Sequence, residues 1–137
     1  YAHYNESLAH PLGANFVESV NIIRYMRNRY FLEGRFIYSV QGRDFEDSNW
    51  GSDLYISSNE REQNFGNEFL QGNRTTLFYS NLKAGYILNP STNWRLELSY
   101  TYRSLNPEIE TTTLKSNTTH FFQIGMLTAI NNQYYDF

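Results

Sequence analysis

Between residues 93 and 104 the side chains alternate without a break. Trp94, Leu96, Leu98, Tyr100 and Tyr102 hold the even positions, and Arg95, Glu97, Ser99, Thr101 and Arg103 the odd ones. A period of two sustained over about ten residues describes a β-strand with one apolar and one polar face. The stretch before it, residues 75–89, repeats the pattern less strictly, with Phe78, Leu82, Ala84, Tyr86 and Leu88 against Tyr79, Asn81, Lys83, Gly85 and Ile87. Pro90-Ser91-Thr92 supplies a tight turn between the two. Pairing centred on that turn sets Lys83 diagonal to Glu97, close enough for an ion pair. Strands of soluble proteins average about five or six residues, whereas ~9–11 residues with an unbroken apolar face are needed to cross a bilayer within a barrel. The expected fold class is therefore all-β: an antiparallel up-and-down transmembrane β-barrel, of which residues 1–137 form about five strands.

The other strands follow by the same logic. Residues 16–27 are apolar on both parities, but Glu18 and Arg24 share one of them. A charge on the lipid face at mid-bilayer costs ~2–4 kcal/mol, so that parity should face the lumen and leave Val17, Ile23 and Tyr25 toward lipid. Residues 30–42 set Tyr30, Leu32, Phe36, Tyr38 and Val40 against Glu33, Arg35, Ser39 and Gln41. A two-residue turn at Asn28-Arg29 then places Arg24 opposite Glu33 and Tyr25 opposite Leu32, so the two face assignments agree. The last strand, residues 119–130, alternates Phe122, Ile124, Met126 and Ile130 with Gln123, Gly125 and Ala129. The expected lumen-facing charges are Glu18, Arg24, Glu33, Arg35, Lys83, Arg95, Glu97 and Arg103. The expected lipid-facing side chains are Leu32, Phe36, Tyr38, Trp94, Leu96, Leu98, Tyr100, Tyr102, Phe122, Ile124 and Met126.

Residues 1–15, 43–74 and 105–118 are polar and aperiodic and read as loops, separated by the two short turns. Bacterial outer-membrane barrels keep long loops outside and short turns on the periplasmic side, where the chain also ends. Counting back from Phe137 puts every long connection outside. The ending Tyr135-Asp136-Phe137 also resembles the aromatic signal by which the barrel-insertion machinery recognises its clients. Five strands leave two open edges in lipid, which is not viable, so the chain should be the C-terminal portion of a larger barrel domain.

Composition bounds the remaining choices. There are 14 acidic and 11 basic residues and no cysteine, which argues against a nucleic-acid partner and removes disulfides, thiolate metal sites and cysteine nucleophiles. Mean hydropathy is −0.61, compatible with a barrel because half of each strand faces a wet interior. The aromatic share of 18% suits interfacial girdles, and also sugar-binding sandwiches. His3, His10 and His120 show no ligand spacing, Asp44, Asp47 and Asp53 lack the order of a calcium loop, and no G-x-S-x-G occurs. Glu33 and Glu97 could be imagined as a glycosidase pair, but a wall of paired charges explains them more simply. No catalytic residues, cofactor or metal are expected. In the acidic loop, Phe45, Trp50, Asp53 and Tyr55 are candidates for holding a sugar by stacking and hydrogen bonds. The competing account is that these aromatics pack the loop onto the barrel mouth.

His-Pro-Leu-Gly-Ala-Asn-Phe at 10–16, Asn-Trp-Gly-Ser-Asp-Leu at 49–54 and Asn-Gln-Tyr-Tyr-Asp-Phe at 132–137 together resemble the C-terminal part of Wzi-like capsule-assembly barrels. The similarity is to the Bacteroidota version, which includes RemB-type gliding-motility proteins. This resemblance implies a non-enzymatic protein in the outer membrane of a Gram-negative bacterium, engaged in surface polysaccharide attachment or in the gliding apparatus. Its partners would be the bilayer, the insertion machinery, polysaccharide and other outer-membrane proteins. Two other readings stay open: a porin or nutrient-transport barrel with an open charged channel, and a soluble β-barrel or sandwich that buries its apolar faces around a ligand site.

Overall fold

The computed structural model describes residues 2–3, 6–7, 10–44, 48–53 and 55–128. Phe45, Tyr135 and Phe137, and with them the terminal aromatic signal, lie outside the described residues. Two short strands, β1 (Ala2–His3) and β2 (Glu6–Ser7), pair with each other inside the segment expected to be loop throughout. The main sheet follows: β3 (Phe16–Arg27), β4 (Tyr30–Arg43), β5 (Asn73–Asn89), β6 (Trp94–Pro107) and β7 (Asn117–Leu127). It is an antiparallel, up-and-down sheet in the order β3-β4-β5-β6-β7.

The strands run to 12, 14, 17, 14 and 11 residues, long enough to cross a bilayer. The sheet does not close on itself, because β3 pairs only with β4 and β7 only with β6. Several strand ends differ from the expected ones, those at Arg43 of β4 and Trp94 of β6 by a single residue. β5 begins two residues early because Asn73 and Arg74 continue the ladder against Arg43 and Gly42. β6 runs on to Pro107, opposite Thr75, where a residue with no N–H must end the pairing. β7 begins at Asn117 and stops at Leu127, short of the expected 130.

Both short turns form as the alternation requires. Asn28 takes a left-handed backbone with φ 56° in the two-residue connection, and Arg24 meets Glu33 while Tyr25 meets Leu32. At the second turn the register slips between Ile87 and Asn89, setting Asn89 opposite Trp94. The extra residue is Leu88 of β5, which the register passes over between Ile87 and Asn89.

Antiparallel partners share a face, so the register sorts the side chains into two sets. Glu18, Arg24, Glu33, Arg35, Lys83, Arg95, Glu97 and Arg103 all fall on one face, and Leu32, Phe36, Tyr38, Trp94, Leu96, Leu98, Tyr100, Tyr102, Phe122, Ile124 and Met126 on the other. The polarity is inverted relative to a protein folding around an oily core. Ile124 is 83% exposed and Leu98 53%, whereas Glu97 is 8% exposed and Ser39 2%. Ile87 is the one large apolar side chain among the described residues that is buried.

The apolar face is banded. Tyr30, Tyr86 and Trp94 lie toward the short turns, with the Tyr30 and Tyr86 rings 4.8 Å apart. Tyr38, Phe78 and Tyr102 lie toward the long connections. On each of these strands the two aromatics are eight residues apart, about 27 Å along an antiparallel strand. Leu32, Leu82, Ala84, Leu98 and Ile124 occupy the zone between, together with Phe36, Tyr100 and Phe122, while Leu96 and Met126 continue the row of Tyr30 and Tyr86.

Candidate functional site

Both long connections, residues 44–72 and 108–116, emerge at the same end of the sheet. Their anchoring begins with three amides. Asn15 closes a joint: its Nδ2 donates to the carbonyls of Gly42 (2.9 Å) and Gln71 (2.8 Å), and its Oδ1 accepts from the Leu70 N–H (2.9 Å). Gln41 reaches from β4 to the carbonyls of Leu12 and Ala14. Asn73, 1% exposed, grips the second connection through both backbone groups of a single residue, Ile109. It donates to the Ile109 carbonyl at 2.7 Å and accepts from the Ile109 N–H at 3.0 Å.

Within the first connection Asp44 is the organiser. Its carboxylate accepts from the N–H groups of Trp50 (2.5 Å), Ser52 (3.2 Å) and Asp53 (3.0 Å), and from the Ser52 hydroxyl (2.8 Å). Charge-assisted bonds of this kind draw the chain into a compact turn. They also use up the acceptor sites that a cation would need, and no cluster of potential metal ligands occurs among the described residues. Asn49 adds a second tie, with its N–H on Glu62 and its Oδ1 accepting from Gly51.

Between the two connections lies a cleft of about 1230 Å³, floored by Gln41 and Arg43 and walled by residues of both connections. Asp53 is on its wall, as are Asn49, Ile56, Glu60 and the run from Ile109 to Leu114. Trp50 is not on it. The indole instead lies over Gly72, where an added Cβ would come within 3.2 Å of it, and it packs the loop against the end of β5. Tyr55 is exposed, its N–H donating to Asp53 Oδ1, and does not line the cleft. Three of the sugar-site candidates are thus separated: Asp53 borders the cleft, Trp50 lies against Gly72, and Tyr55 is outside the cleft lining. The threonine run 111–113, which completes the wall, carried no periodic signal in the sequence.

On the polar face, toward the short turns, the charges pair both across strands and along β6. Arg24 Nε meets Glu33 Oε2 at 2.7 Å, Lys83 Nζ meets Glu97 Oε1 at 3.6 Å, and Arg95 Nε meets Glu97 Oε2 at 3.4 Å. Lys83 and Glu97 are diagonal neighbours, as the turn-centred pairing requires. The Arg95 guanidinium also lies over the Phe31 ring at 5.4 Å. Glu33 and Glu97 are therefore both held by cations. His10 pairs with Glu18 at 3.0 Å and His120 meets the Tyr100 hydroxyl at 2.9 Å.

Two predictions follow from the anchoring. Asn73→Ala removes both hydrogen bonds to the Ile109 backbone, and at about 0.5–1.5 kcal/mol for each bond the second connection should loosen. Amide exchange at Ile109 accelerates at least tenfold while mid-strand amides of β5 stay protected; unchanged exchange at Ile109 would contradict the anchor. Further along the same connection, the Ser116 side chain and N–H hold the Glu110 carboxyl below the usual glutamate range, helped by Lys115. Because its folded pKa is depressed, the bond to Ser116 is present above the ordinary glutamate pKa of about 4.3 and is lost as pH falls through the lower folded value. Exchange at Ser116, corrected for its intrinsic pH dependence, should rise only below that range, and Glu110→Gln should flatten the profile.

Among known proteins, no family model, no curated sequence and no solved structure matches the chain.

Proposed function

We propose that the chain is part of a β-barrel in the outer membrane of a Gram-negative bacterium. In this reading the apolar face contacts lipid, the polar face lines the interior and the two long connections stand outside the cell. The observation that carries it is the inverted polarity, together with aromatic residues eight apart on three adjacent strands. At a strand tilt of 35–45° the zone between them spans about 20 Å along the membrane normal, close to the ~25 Å apolar band of such barrels. Closure needs further strands against β3 and β7, since open edges do not survive in hydrocarbon.

Within that frame the role is non-enzymatic attachment of surface polysaccharide, or a part in the gliding and surface apparatus, of the Wzi-like kind. The cleft supports it: an outward-facing trough of hydroxyl, amide and carboxylate groups with Ile56, Ile109 and Leu114 among them offers sugars both hydrogen bonds and apolar contact. The resemblance at 10–16, 49–54 and 132–137 points the same way. In cells, filling the cleft with Thr112→Trp should release polysaccharide into the medium several-fold over the parent, with barrel content in the outer membrane unchanged. Retention equal to the parent would remove the cleft from that role. A porin or nutrient-transport barrel is the second reading, favoured by the surplus of cations on the polar face.

A further inference from the structure

Charge is segregated along the sheet. The two long connections hold nine acidic residues, Asp44, Glu46, Asp47, Asp53, Glu60, Glu62, Glu68, Glu108 and Glu110, against Arg61 and Lys115. The polar face reverses the balance, with Arg24, Arg35, Arg43, Lys83, Arg95 and Arg103 against Glu18, Glu33 and Glu97. Every carboxylate on that face is already engaged: Glu18 by His10, Glu33 by Arg24, and Glu97 by Lys83 and Arg95. Arg43 donates to Gln41 and borders Asp44, Asp53 and Glu60 in the cleft. Arg35 and Arg103 are left, and neither forms an ion pair among the described residues.

These two lie close together. Arg35 is on β4 in register with Asn81 and Thr101, and Arg103 is on β6 in register with Tyr79 and Ile37, one row further toward the long connections. β5 alone separates them, so their strands are about 10 Å apart, a gap that two arginine side chains can span. Tyr79 and Asn81 lie on the intervening strand. Asn81 uses one amide hydrogen on Thr101 Oγ1 at 2.8 Å, which leaves its second amide hydrogen and the Thr101 hydroxyl proton to donate. Arg35 is exposed and Arg103 half-buried, so both guanidiniums are accessible from the polar face. The carboxylate nearest in sequence is Glu33, two residues along β4 and bonded to Arg24.

We propose that Arg35 and Arg103, with Tyr79, Asn81 and Thr101 between them, form a seat for a phosphoryl group at mid-height of the polar face. Two forked guanidiniums and three neutral donors match a dianion with three or four acceptor oxygens better than a carboxylate, which offers two. The ligand chemistry is that of a phosphate monoester such as a phosphorylated sugar, with inorganic phosphate as its simplest form. The assignment rests on the face itself and not on whether that face lines a membrane barrel.

The test is titration calorimetry of the purified protein with inorganic phosphate and with a sugar phosphate, and with glucuronate as the carboxylate arm, each at low and physiological salt. Binding of the phosphates should be salt-sensitive and at least tenfold tighter than that of glucuronate. Arg35→Gln and Arg103→Gln should each weaken phosphate binding at least tenfold, while Arg74→Gln, the same charge change on the opposite face, should leave it unchanged. Near-ultraviolet circular dichroism identical to the parent's shows that a variant has folded; a misfolded variant is replaced by the lysine at that position, which should retain part of the affinity. No phosphate binding by the parent, equal loss with Arg74→Gln, or glucuronate binding as tightly as phosphate would overturn the assignment.

Discussion

On the proposed membrane reading, Ile124→Arg should destabilise insertion, and Gln123→Arg, one residue earlier on the same strand, should not. Ile124 pairs with Leu98 and through it with Ala84, and Leu98 is four residues from both Trp94 and Tyr102, at the middle of the zone between them. An arginine at that depth on a lipid-facing strand costs ~2–4 kcal/mol, whereas one on the polar face meets water and neighbouring Ser99. The comparison separates membrane from solution because Ile124 is 83% exposed and Gln123 is also exposed. On a water-facing surface, replacing an exposed isoleucine with arginine changes stability by no more than about 0.5 kcal/mol. Urea titration of folding into lipid vesicles measures the difference. Equal midpoints for the two variants would place Ile124 in water.

Gly42→Ala frees the loop end of the sheet. A Cβ on Gly42 would fall 2.2 Å from the Gln71 carbonyl oxygen, 2.6 Å from the Leu70 carbonyl carbon and 2.5 Å from Asn15 Nδ2. Two of those are backbone atoms, so the added methyl cannot be absorbed by a side-chain rotation. Relief of the clash separates the joint made by Asn15 and by the Gly42 N–H bond to the Asn15 carbonyl. Four hydrogen bonds at about 0.5–1.5 kcal/mol each give roughly 2–6 kcal/mol of local stability. The first connection should then be cleaved by protease at least tenfold faster, with the strands intact. Unchanged cleavage would show that the joint does not hold the loop.

What could be read from the sequence and what could not divides along physical lines. Strand faces are legible because charge and apolar bulk alternate with the pleat. The first hairpin's register is legible because a two-residue turn leaves one pairing that satisfies both faces. Lys83 and Glu97 belong to this class, since their diagonal relation follows from the turn alone. The loop end is not legible by these means. Asn15, Asp44 and Asn73 act through side-chain hydrogen bonds to other parts of the loop end, and nothing in their neighbours' periodicity marks them. A cue was present, in that Asn15 and Asn73 each stand immediately beside or at the start of a long strand, where a lone amide can serve as an anchor. Trp50 misleads for a related reason. A tryptophan among Asn, Asp and Ser has the composition of a sugar platform, yet Gly72 offers its ring a flat seat and the ring takes it. Arg35 and Arg103 were legible as polar-face residues, but their lack of carboxylate partners emerges only once every acid on that face has been assigned.

The central claim is that the apolar face meets lipid, and it is tested most directly by the behaviour of the protein in cells. Membranes are washed with sodium carbonate, extracted with detergent, and run on gels with and without boiling. The account predicts a carbonate-resistant protein in the outer-membrane fraction whose mobility shifts on boiling, as a closed barrel's does. A carbonate-soluble protein with no shift would contradict it, and the exposed row of Leu98, Ile124 and their neighbours would then be a surface that another protein layer covers in water.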